Sequence, residues 1–295
     1  MRRIFKNKHQ LWFVLPLLLL MIFFIFGPLI QNIINSFYEF SSFSPVKNFV
    51  GLKNYQDMLK DGSISVALMN NVRYAVISVI CQVGFGLILA AILEQKFLRK
   101  IAPFFRVVYF MPVMISISVI ALLFGFIYNP QMGLLNGFLE AIGLEGLKRT
   151  WLGNPSTAIY ATIAMSQWQS TGYIMMLFIV AMQKIPRELY EAAEIDGAGS
   201  VLQFLHVTVP QVRETIFVNI LITISGSMLV FNEPYILTKG GGPGISSITL
   251  AVHMYQEGFM KNNMGYASAL AVLIFVITAV VSIIQIVISR TGKDA

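Results

Sequence analysis

Long uncharged, apolar runs are the strongest pattern along this chain. Runs without Asp, Glu, Lys or Arg extend over residues 11–38, 74–93, 107–139, 151–183, 215–232 and 262–289. A helix needs about 20 apolar residues to cross a bilayer. Once the ends rich in Asn, Gly and Pro are trimmed, the pattern predicts six transmembrane helices, at residues 11–37, 74–94, 107–128, 157–182, 215–237 and 265–289. The expected fold class is therefore an all-α, multi-pass integral membrane protein.

The composition agrees with this interpretation. Hydrophobic residues make up 56% of the chain and charged residues 12%, about half the charged fraction of a soluble domain, which is about 25%. The first apolar run follows a basic N-terminus, as in a signal peptide, but its core is about twice as long as a signal peptide core. No A-x-A cleavage site follows it, so we expect a retained helix. The single cysteine, Cys81, excludes an intrachain disulfide.

The distribution of basic residues predicts the orientation in the membrane. Six spans place both termini on the same side. With the N-terminus in the cytoplasm, 13 of the 21 Lys and Arg residues lie inside, although the inside segments are shorter in total than the outside ones. These 13 are Arg2, Arg3, Lys6, Lys8, Lys96, Arg99, Lys100, Arg106, Lys184, Arg187, Arg213, Arg290 and Lys293. The net charge of +7 therefore reflects membrane topology and does not indicate nucleic-acid binding.

The inside segment over residues 184–214 carries a spaced motif. Glu191-Ala192-Ala193 is followed after three residues by Gly197, and after nine more by V-x-V-P ending at Pro210. Its local signals predict two short helices joined at a glycine. Pro186 suits the first position of a helix over 187–196, and Gly197 suits a left-handed C-cap. A capping box of Ser200 and Gln203 would open the second helix, which Pro210 would end.

This motif resembles the "EAA loop" of the permeases of ATP-binding-cassette (ABC) importers, where the usual ending is I-x-L-P. The resemblance extends along nearly the whole chain and is closest to the carbohydrate branch, which includes the maltose and glycerol-phosphate permeases. The residues that carry it are Gly51, Leu52, Asn54, Tyr55, Trp168, Tyr173, 184–186, 189–193, 195–198, Thr238, 241–243 and 265–267. The departures are Val207 and Val209 in the motif's ending and one extra glycine in residues 240–242.

The resemblance implies a fold and a set of partners. It implies a MetI-like, maltose-permease-like core over residues 70–290, preceded by a segment over 1–69 with the first helix and an extracytoplasmic loop. The chain would be a permease subunit in the inner membrane of a bacterial or archaeal cell. It would form half of the pathway for a mono- or oligosaccharide, in a heterodimer with a second permease of similar fold. Two ATPase subunits and an extracytoplasmic solute-binding protein would complete the importer.

The resemblance also implies where coupling occurs. It assigns contact with the ATPase to Glu191, Ala192, Ala193, Asp196, Gly197 and Pro210. The chain itself has no complete P-loop, because the glycine run at 240–244 lacks the following Lys-Ser/Thr. ATP and Mg²⁺ would therefore be bound by the partner ATPase, and we expect no cofactor, no catalytic residue and no metal site in this chain. His9, His206 and His253 have no metal-binding spacing.

Polar residues within two predicted helices indicate the path of the solute. The fourth helix carries polar residues at 166–171, and the fifth carries several between 219 and 232. Resemblance to the maltose permease places substrate contacts at Gln169, Ser170, Tyr173, Ser225, Met228, Leu229 and Asn232. The alternative for each polar residue is a hydrogen bond that bridges two helices. Glu233 is the acidic residue nearest a span, and we expect it at the outer interface instead of in the pathway.

Two other classes of membrane protein are alternatives to an ABC importer permease. An ion-coupled secondary transporter would usually show inverted repeats and charges at mid-membrane depth. A membrane-embedded enzyme would need an acid–base or metal cluster near the membrane. The sequence shows neither set of features. It leaves open which sugar is carried and whether the partner permease is identical or different.

Overall fold

The structure is a computed structural model that describes residues 8–44 and 46–291. Within these residues the chain is mainly α-helical, which confirms the expected fold class. The strands are β1 (Tyr38–Glu39) and β2 (Asn48–Phe49), an antiparallel pair. The first helices are α1 (Lys8–Met21, continued by a π-helical turn, Ile22–Phe26, and by Gly27–Asn35), α2 (Lys53–Lys60), α3 (Gly62–Leu93, with a π-helical turn at Val79–Phe85), α4 (Ala102–Met114) and α5 (Ile117–Ile127). They are followed by α6 (Leu134–Ala141), α7 (Ala158–Met182), α8 (Arg187–Ile195), α9 (Ser200–Gln211, with a π-helical turn at Phe204–Thr208) and α10 (Arg213–Met228). The last are α11 (Asn232–Leu237), α12 (Leu250–Tyr255, followed by a π-helical turn, Gln256–Met260) and α13 (Met264–Thr291). Short 3₁₀ helices lie at Lys96–Leu98 and Glu145–Leu147.

Three helices of the described chain are long and apolar enough to cross a membrane. They are Phe13–Asn35, Gly62–Leu93 and Met264–Ile288. Two bent pairs raise the number to five if each pair is one span: α4 with α5, and α9 with α10. The remaining predicted span is present as the 25-residue helix α7, whose central polar residues lower its hydropathy. The number of six spans therefore stays a prediction. Arg2, Arg3, Lys6 and Lys293, on which the predicted orientation partly rests, lie outside the described residues.

The predicted helix at 107–128 is wrong as a continuous span. It is broken between α4 and α5, whose axes differ by 99°. Pro112 lies in the last turn of α4, where it removes a backbone donor, and Ile115 is already extended. The side-chain amide of Gln169 donates to the Ile115 carbonyl at 3.4 Å, which satisfies a group that the break exposes.

The predicted helix at 215–237 ends early, at Met228. Asn71 of α3 explains this end, because its Nδ2 donates to the carbonyls of Ser227 (2.7 Å) and Met228 (3.2 Å). Its Oδ1 accepts from the backbone N–H of Leu250 at 3.0 Å. Asn71 is completely buried, so these bonds are shielded from water. One side chain thus replaces the helical partners that the carbonyls of α10 lose.

Residue contacts divide the described chain into two compact units. The first comprises residues 8–62 and 254–276, and the second comprises 63–253 and 277–291. Within the first unit, Asn54 of the Gly51-Leu52-x-Asn54-Tyr55 motif donates to the carbonyls of Ser36 (2.8 Å) and Tyr38 (3.0 Å). The Tyr55 and Ser36 hydroxyls lie 2.7 Å apart. The motif therefore fastens α2 to the end of α1. The predicted boundary between residues 69 and 70 stays a prediction.

Residues of α7 belong to several apolar clusters of the second unit. One cluster joins α3, α7 and the start of α10, and includes Phe178, Met175 and Val212. Another joins α5, α7 and α11, and a further one joins Tyr74 of α3 to residues near the start of α7. Gly172 lets α7 lie close against α4, because a Cβ at this position would overlap the backbone carbonyl oxygen of Tyr109 in α4. These two helices can pack in this way only with glycine at position 172.

Candidate functional site

A polar cavity lies among the helices of the second unit. Its volume is about 240 Å³. The lining comes from one face each of α3, α7 and α10, and from the start of α11. The lining residues are Tyr74, Ser78, Gln82, Ser166, Ser170, Tyr173, Ile174, Ile222, Thr223, Gly226, Ser227, Val230 and Glu233. On α3 the three lining residues are spaced four apart, which places them on one side of the helix.

The lining is rich in hydroxyl and amide groups. Among the lining residues only Glu233 has a carboxylate, and none is Lys, Arg or His. Thr223 is 6% exposed, and its hydroxyl has no hydrogen-bond partner within the described chain. Because an unpaired buried hydroxyl is costly, it marks a position where a bound solute or water would supply a partner. The ring of Tyr173 is 39% exposed and adds a flat apolar surface.

The structure places the predicted substrate residues in different surroundings. Ser170 and Tyr173 line the cavity. Gln169 does not, since its amide supports the break after α4. Ser225 lies 3.4 Å from the hydroxyl of Ser282 and so bridges α10 to α13, the alternative that the sequence left open. The remaining three also lie outside the lining: Met228 is buried, whereas Leu229 and Asn232 are exposed. The substrate-binding role of all seven stays a prediction.

Sequence reasoning missed two parts of this cavity. The first is the contribution of α3, where Tyr74, Ser78 and Gln82 form a polar stripe at intervals of four. That spacing was visible in the sequence, but the predicted span at 74–94 has fewer polar residues than the predicted spans at 157–182 and 215–237. The second is Glu233, which lines the cavity although we expected it at the outer interface. It is there because α10 ends at Met228, so the chain turns and α11 begins beside the cavity.

The spaced motif around Glu191 forms a helix–glycine–helix elbow, residues 187–211. Gly197 has φ +79°, and its N–H donates to the carbonyl of Glu194 at 3.1 Å. The N–H of Ala198 donates to the carbonyl of Ala193 at 2.8 Å, which completes a Schellman motif. The predicted left-handed C-cap is confirmed. Within the elbow Glu191, Ala192, Asp196 and Pro210 are exposed, and Ala193 is half-buried.

Three local details of the elbow differ from prediction. Pro186 is the N-cap of α8 and not its first helical residue. Gly199 is the N-cap of α9, and the predicted capping box does not form, because the Gln203 amide donates to the Ala198 carbonyl at 3.0 Å. Pro210 lies inside α9, and the chain bends after Gln211 instead. The preceding π-helical turn explains why the proline is tolerated, since its hydrogen bonds no longer follow the α-helical spacing.

The elbow is fastened at both ends to the core of the second unit. Val212, at its end, is 1% exposed within the cluster around Phe178, and Ile185, at its start, packs against the same cluster. The hydroxyls of Tyr190 and Thr208 lie 3.0 Å apart and join its two limbs. Ile174 belongs to this cluster and also lines the cavity. A displacement of the elbow would therefore reach the cavity through packed side chains.

The outer surface of the elbow is partly apolar. Ile195 is 87% exposed and Val201 is 71% exposed, and Leu205 is also exposed. Apolar side chains that are exposed on a well-formed segment with an otherwise polar surface are typical of a protein–protein contact. The ion pair between Lys96 and Glu194, at 3.2 Å, is exposed on both sides and adds little stability.

The first unit contains a separate acidic cavity of about 400 Å³. Three of its four carboxylates have partners within the unit: Lys53 binds Glu39 at 3.1 Å, the Tyr266 hydroxyl donates to Asp61 at 2.9 Å, and Lys261 binds Glu257. Its hydrogen bond with Glu39 raises the pKa of Lys53. Among the described residues no group of His, Cys, Asp and Glu could hold a metal ion.

Broken apolar helices, a partly open cavity lined by polar side chains and an elbow fastened to the core are typical of a membrane transport subunit. Residues 82–291 match a family described as "Binding-protein-dependent transport system inner membrane component". The chain belongs to this family, so it is an inner-membrane permease component of an ABC importer and not an enzyme. It is 55% identical to the "Probable ABC transporter permease protein YurN" of Bacillus subtilis, over 98% of this chain and 99% of that protein.

Two further comparisons extend this result. The chain is 30% identical to the arabinooligosaccharides transport system permease AraP of Bacillus subtilis, over 98% of this chain and 90% of that one. Its fold matches a chain in the crystal structure of a bacterial ABC transporter for the import of the acidic polysaccharide alginate. That match has a TM-score of 0.84 and 21% identity, and covers 98% of this chain and 99% of the other. The predicted family and fold are confirmed.

Proposed function

We propose that this chain forms half of the translocation pathway for an uncharged mono- or oligosaccharide. The observation that carries the proposal is the chemistry of the polar cavity, where hydroxyls and amides lie beside the ring of Tyr173. Sugar C–H faces stack on aromatic rings, while sugar hydroxyls take and give hydrogen bonds. The name of AraP, which assigns that relative to arabinooligosaccharides, supports a carbohydrate substrate.

The charge of the cavity favours a neutral sugar over an acidic one. The lining contains the carboxylate of Glu233 and no Lys, Arg or His. In a low-dielectric site a sugar carboxylate would find no cationic partner among these residues. The structural neighbour imports an acidic polysaccharide, but its 21% identity supports a shared fold only.

The volume of the cavity supports a pathway shared with a second permease. About 240 Å³ is less than the roughly 300–1,000 Å³ of most ligand sites. A partner of similar fold, forming a heterodimer, would supply the opposite wall. An extracytoplasmic binding protein would deliver the sugar, as the family's description supports. Both termini would lie in the cytoplasm.

The elbow would couple this pathway to a separate ATPase subunit, one of the two in the importer that bind ATP and Mg²⁺. Its motif residues Glu191, Ala192, Ala193, Asp196, Gly197 and Pro210 would form or shape the contact surface. The small side chains of Ala192 and Ala193 keep part of this surface flat. The common apolar cluster around Phe178 would transmit the movement to the cavity through Ile174.

The proposal is tested by transport in proteoliposomes that contain the permeases, the ATPase and the binding protein. A panel of radiolabelled neutral oligosaccharides and a matched panel of uronic-acid oligosaccharides serve as probes. We expect ATP-dependent transport of a neutral sugar that persists after a protonophore and a Na⁺ ionophore collapse the ion gradients. Transport that stops with the gradients while ATP remains would indicate an ion-coupled carrier. Preferential transport of an acidic sugar would contradict the assigned substrate class.

A further inference from the structure

A short amphipathic helix follows α5 at the end of a membrane-spanning segment. This helix, α6, begins only seven residues after Ile127. The connection is a tight turn in which the side chain of Asn129 accepts from the N–H groups of Gln131 and Met132, both at 3.0 Å. A Cβ at Gly133 would overlap the carbonyl oxygens of Asn129 and Ile127. The start of α6 is therefore held directly against the end of the span.

The inner face of α6 is fully engaged within the second unit. Asn136 is 4% exposed and donates to the carbonyls of Pro130 (3.1 Å) and Arg149 (3.0 Å). Its Oδ1 accepts from the indole N–H of Trp151 at 2.8 Å. Leu135 packs against the cluster that includes Tyr128. The orientation of α6 is thus set by buried contacts on this face.

The opposite face of α6 is apolar and exposed. Leu134 and Phe138, four residues apart, are 74% and 61% exposed, and Ile142 just beyond the helix is also exposed. The apolar helix α5, which precedes α6, also has exposed apolar side chains, among them Leu122 and Phe126. A polar edge flanks the apolar face of α6, where Lys148 binds Glu140 at 2.7 Å. That hydrogen bond lowers the pKa of Glu140, so its carboxylate is charged at neutral pH.

We propose that α6 lies in the interfacial layer of the bilayer, with Leu134, Phe138 and Ile142 inserted at the boundary between headgroups and acyl chains. An apolar face beside a charged edge is typical of helices that lie along a membrane surface. The occupant is lipid and not a soluble partner, because the exposed side chains of this face are all apolar and a tight turn holds α6 against the end of the apolar helix α5. A contact that a soluble partner makes and releases is usually more polar.

The test uses single cysteines labelled with the fluorophore bimane in a Cys81→Ser background. Phe138→Cys and Leu134→Cys report on the proposed lipid face. Glu140→Cys, on the polar edge of the same helix, is the matched control, and losing its exposed ion pair should leave folding unchanged. The importer complex is reconstituted into vesicles of phosphatidylethanolamine and phosphatidylglycerol. Two quenchers are compared, a nitroxide on the lipid acyl chain and iodide in the buffer.

We expect bimane at 138 and 134 to emit at shorter wavelength and to be quenched mainly by the nitroxide lipid, while bimane at 140 is quenched mainly by iodide. Equal quenching of positions 138 and 140 by iodide would overturn the proposal. Protection of 138 from both quenchers, lost when the binding protein or the second permease is omitted, would overturn it in favour of a protein contact. None of these outcomes depends on which sugar is carried, so the proposed function is tested separately.

Discussion

Replacement of Gly197 tests whether the elbow couples the permease to an ATPase. The residue has φ +79°, and a Cβ added to it would meet no atom within 4 Å. A substitution therefore causes no clash inside this chain, and its intrinsic cost is the backbone strain of a left-handed residue, about 1 kcal/mol. Asparagine tolerates this conformation better than other residues. A larger side chain would also project into the space that the ATPase is expected to occupy.

The backbone strain and the intrusion of the side chain can be separated with a short series of substitutions. Gly197→Asn should cause the smallest loss of coupling, and Gly197→Ala should lower the equilibrium constant for forming the elbow about fivefold, since it costs about 1 kcal/mol. Gly199→Ala is the matched control, because Gly199 has an extended backbone and open space around it. Gly197→Arg adds bulk and charge to the strain and should detach the ATPase or uncouple it.

The measurements are co-purification of the ATPase and transport per ATP hydrolysed. The transmembrane helices are untouched, so each variant should still insert and reach normal levels in the membrane. We expect the order wild type, Asn, Ala, Arg for coupling at position 197, with Gly199→Ala equal to wild type. If Gly197→Arg retains the ATPase and transports at the wild-type rate, the elbow is not the coupling element.

Three further predictions concern the helices around the cavity. Gly172→Ala should destabilise the protein by at least about 1–3 kcal/mol because its Cβ meets the α4 backbone, whereas Gly125→Ala, in open space, should leave thermal stability in detergent unchanged. Tyr173→Ala should reduce sugar uptake while the complex stays intact and the affinity of the binding protein is unaltered. Asn232→Ala, outside the cavity lining, should reduce uptake less. A larger loss of uptake in Asn232→Ala than in Tyr173→Ala would refute the cavity assignment. Glu233→Gln keeps the side-chain size and a hydrogen-bonding oxygen, so it should retain uptake of a neutral sugar, and loss of uptake in an assembled complex would show that the charge itself is required.

The sequence by itself determined the class of the protein and the left-handed turn at Gly197 that separates the two helices of its elbow. Charge-free runs of membrane length predict spanning helices because a bilayer cannot solvate charges or unpaired backbone groups. The end of α8 could also be predicted from the sequence, since glycine at position 197 adopts a left-handed conformation that other residues disfavour. Both signals are local, as each depends on the composition of one segment.

Tertiary structure decided where the helices break and which side chains meet. The break after α4 depends on Gln169, 54 positions from the Ile115 carbonyl that it binds, and the end of α10 depends on Asn71, 156 positions from Ser227. Each break redirects the residues that follow it, which removed Asn232 from the cavity lining and placed Glu233 in it. Hydropathy along the chain cannot show these bonds, because a buried amide binds whichever carbonyl the packing brings to it, however distant in sequence.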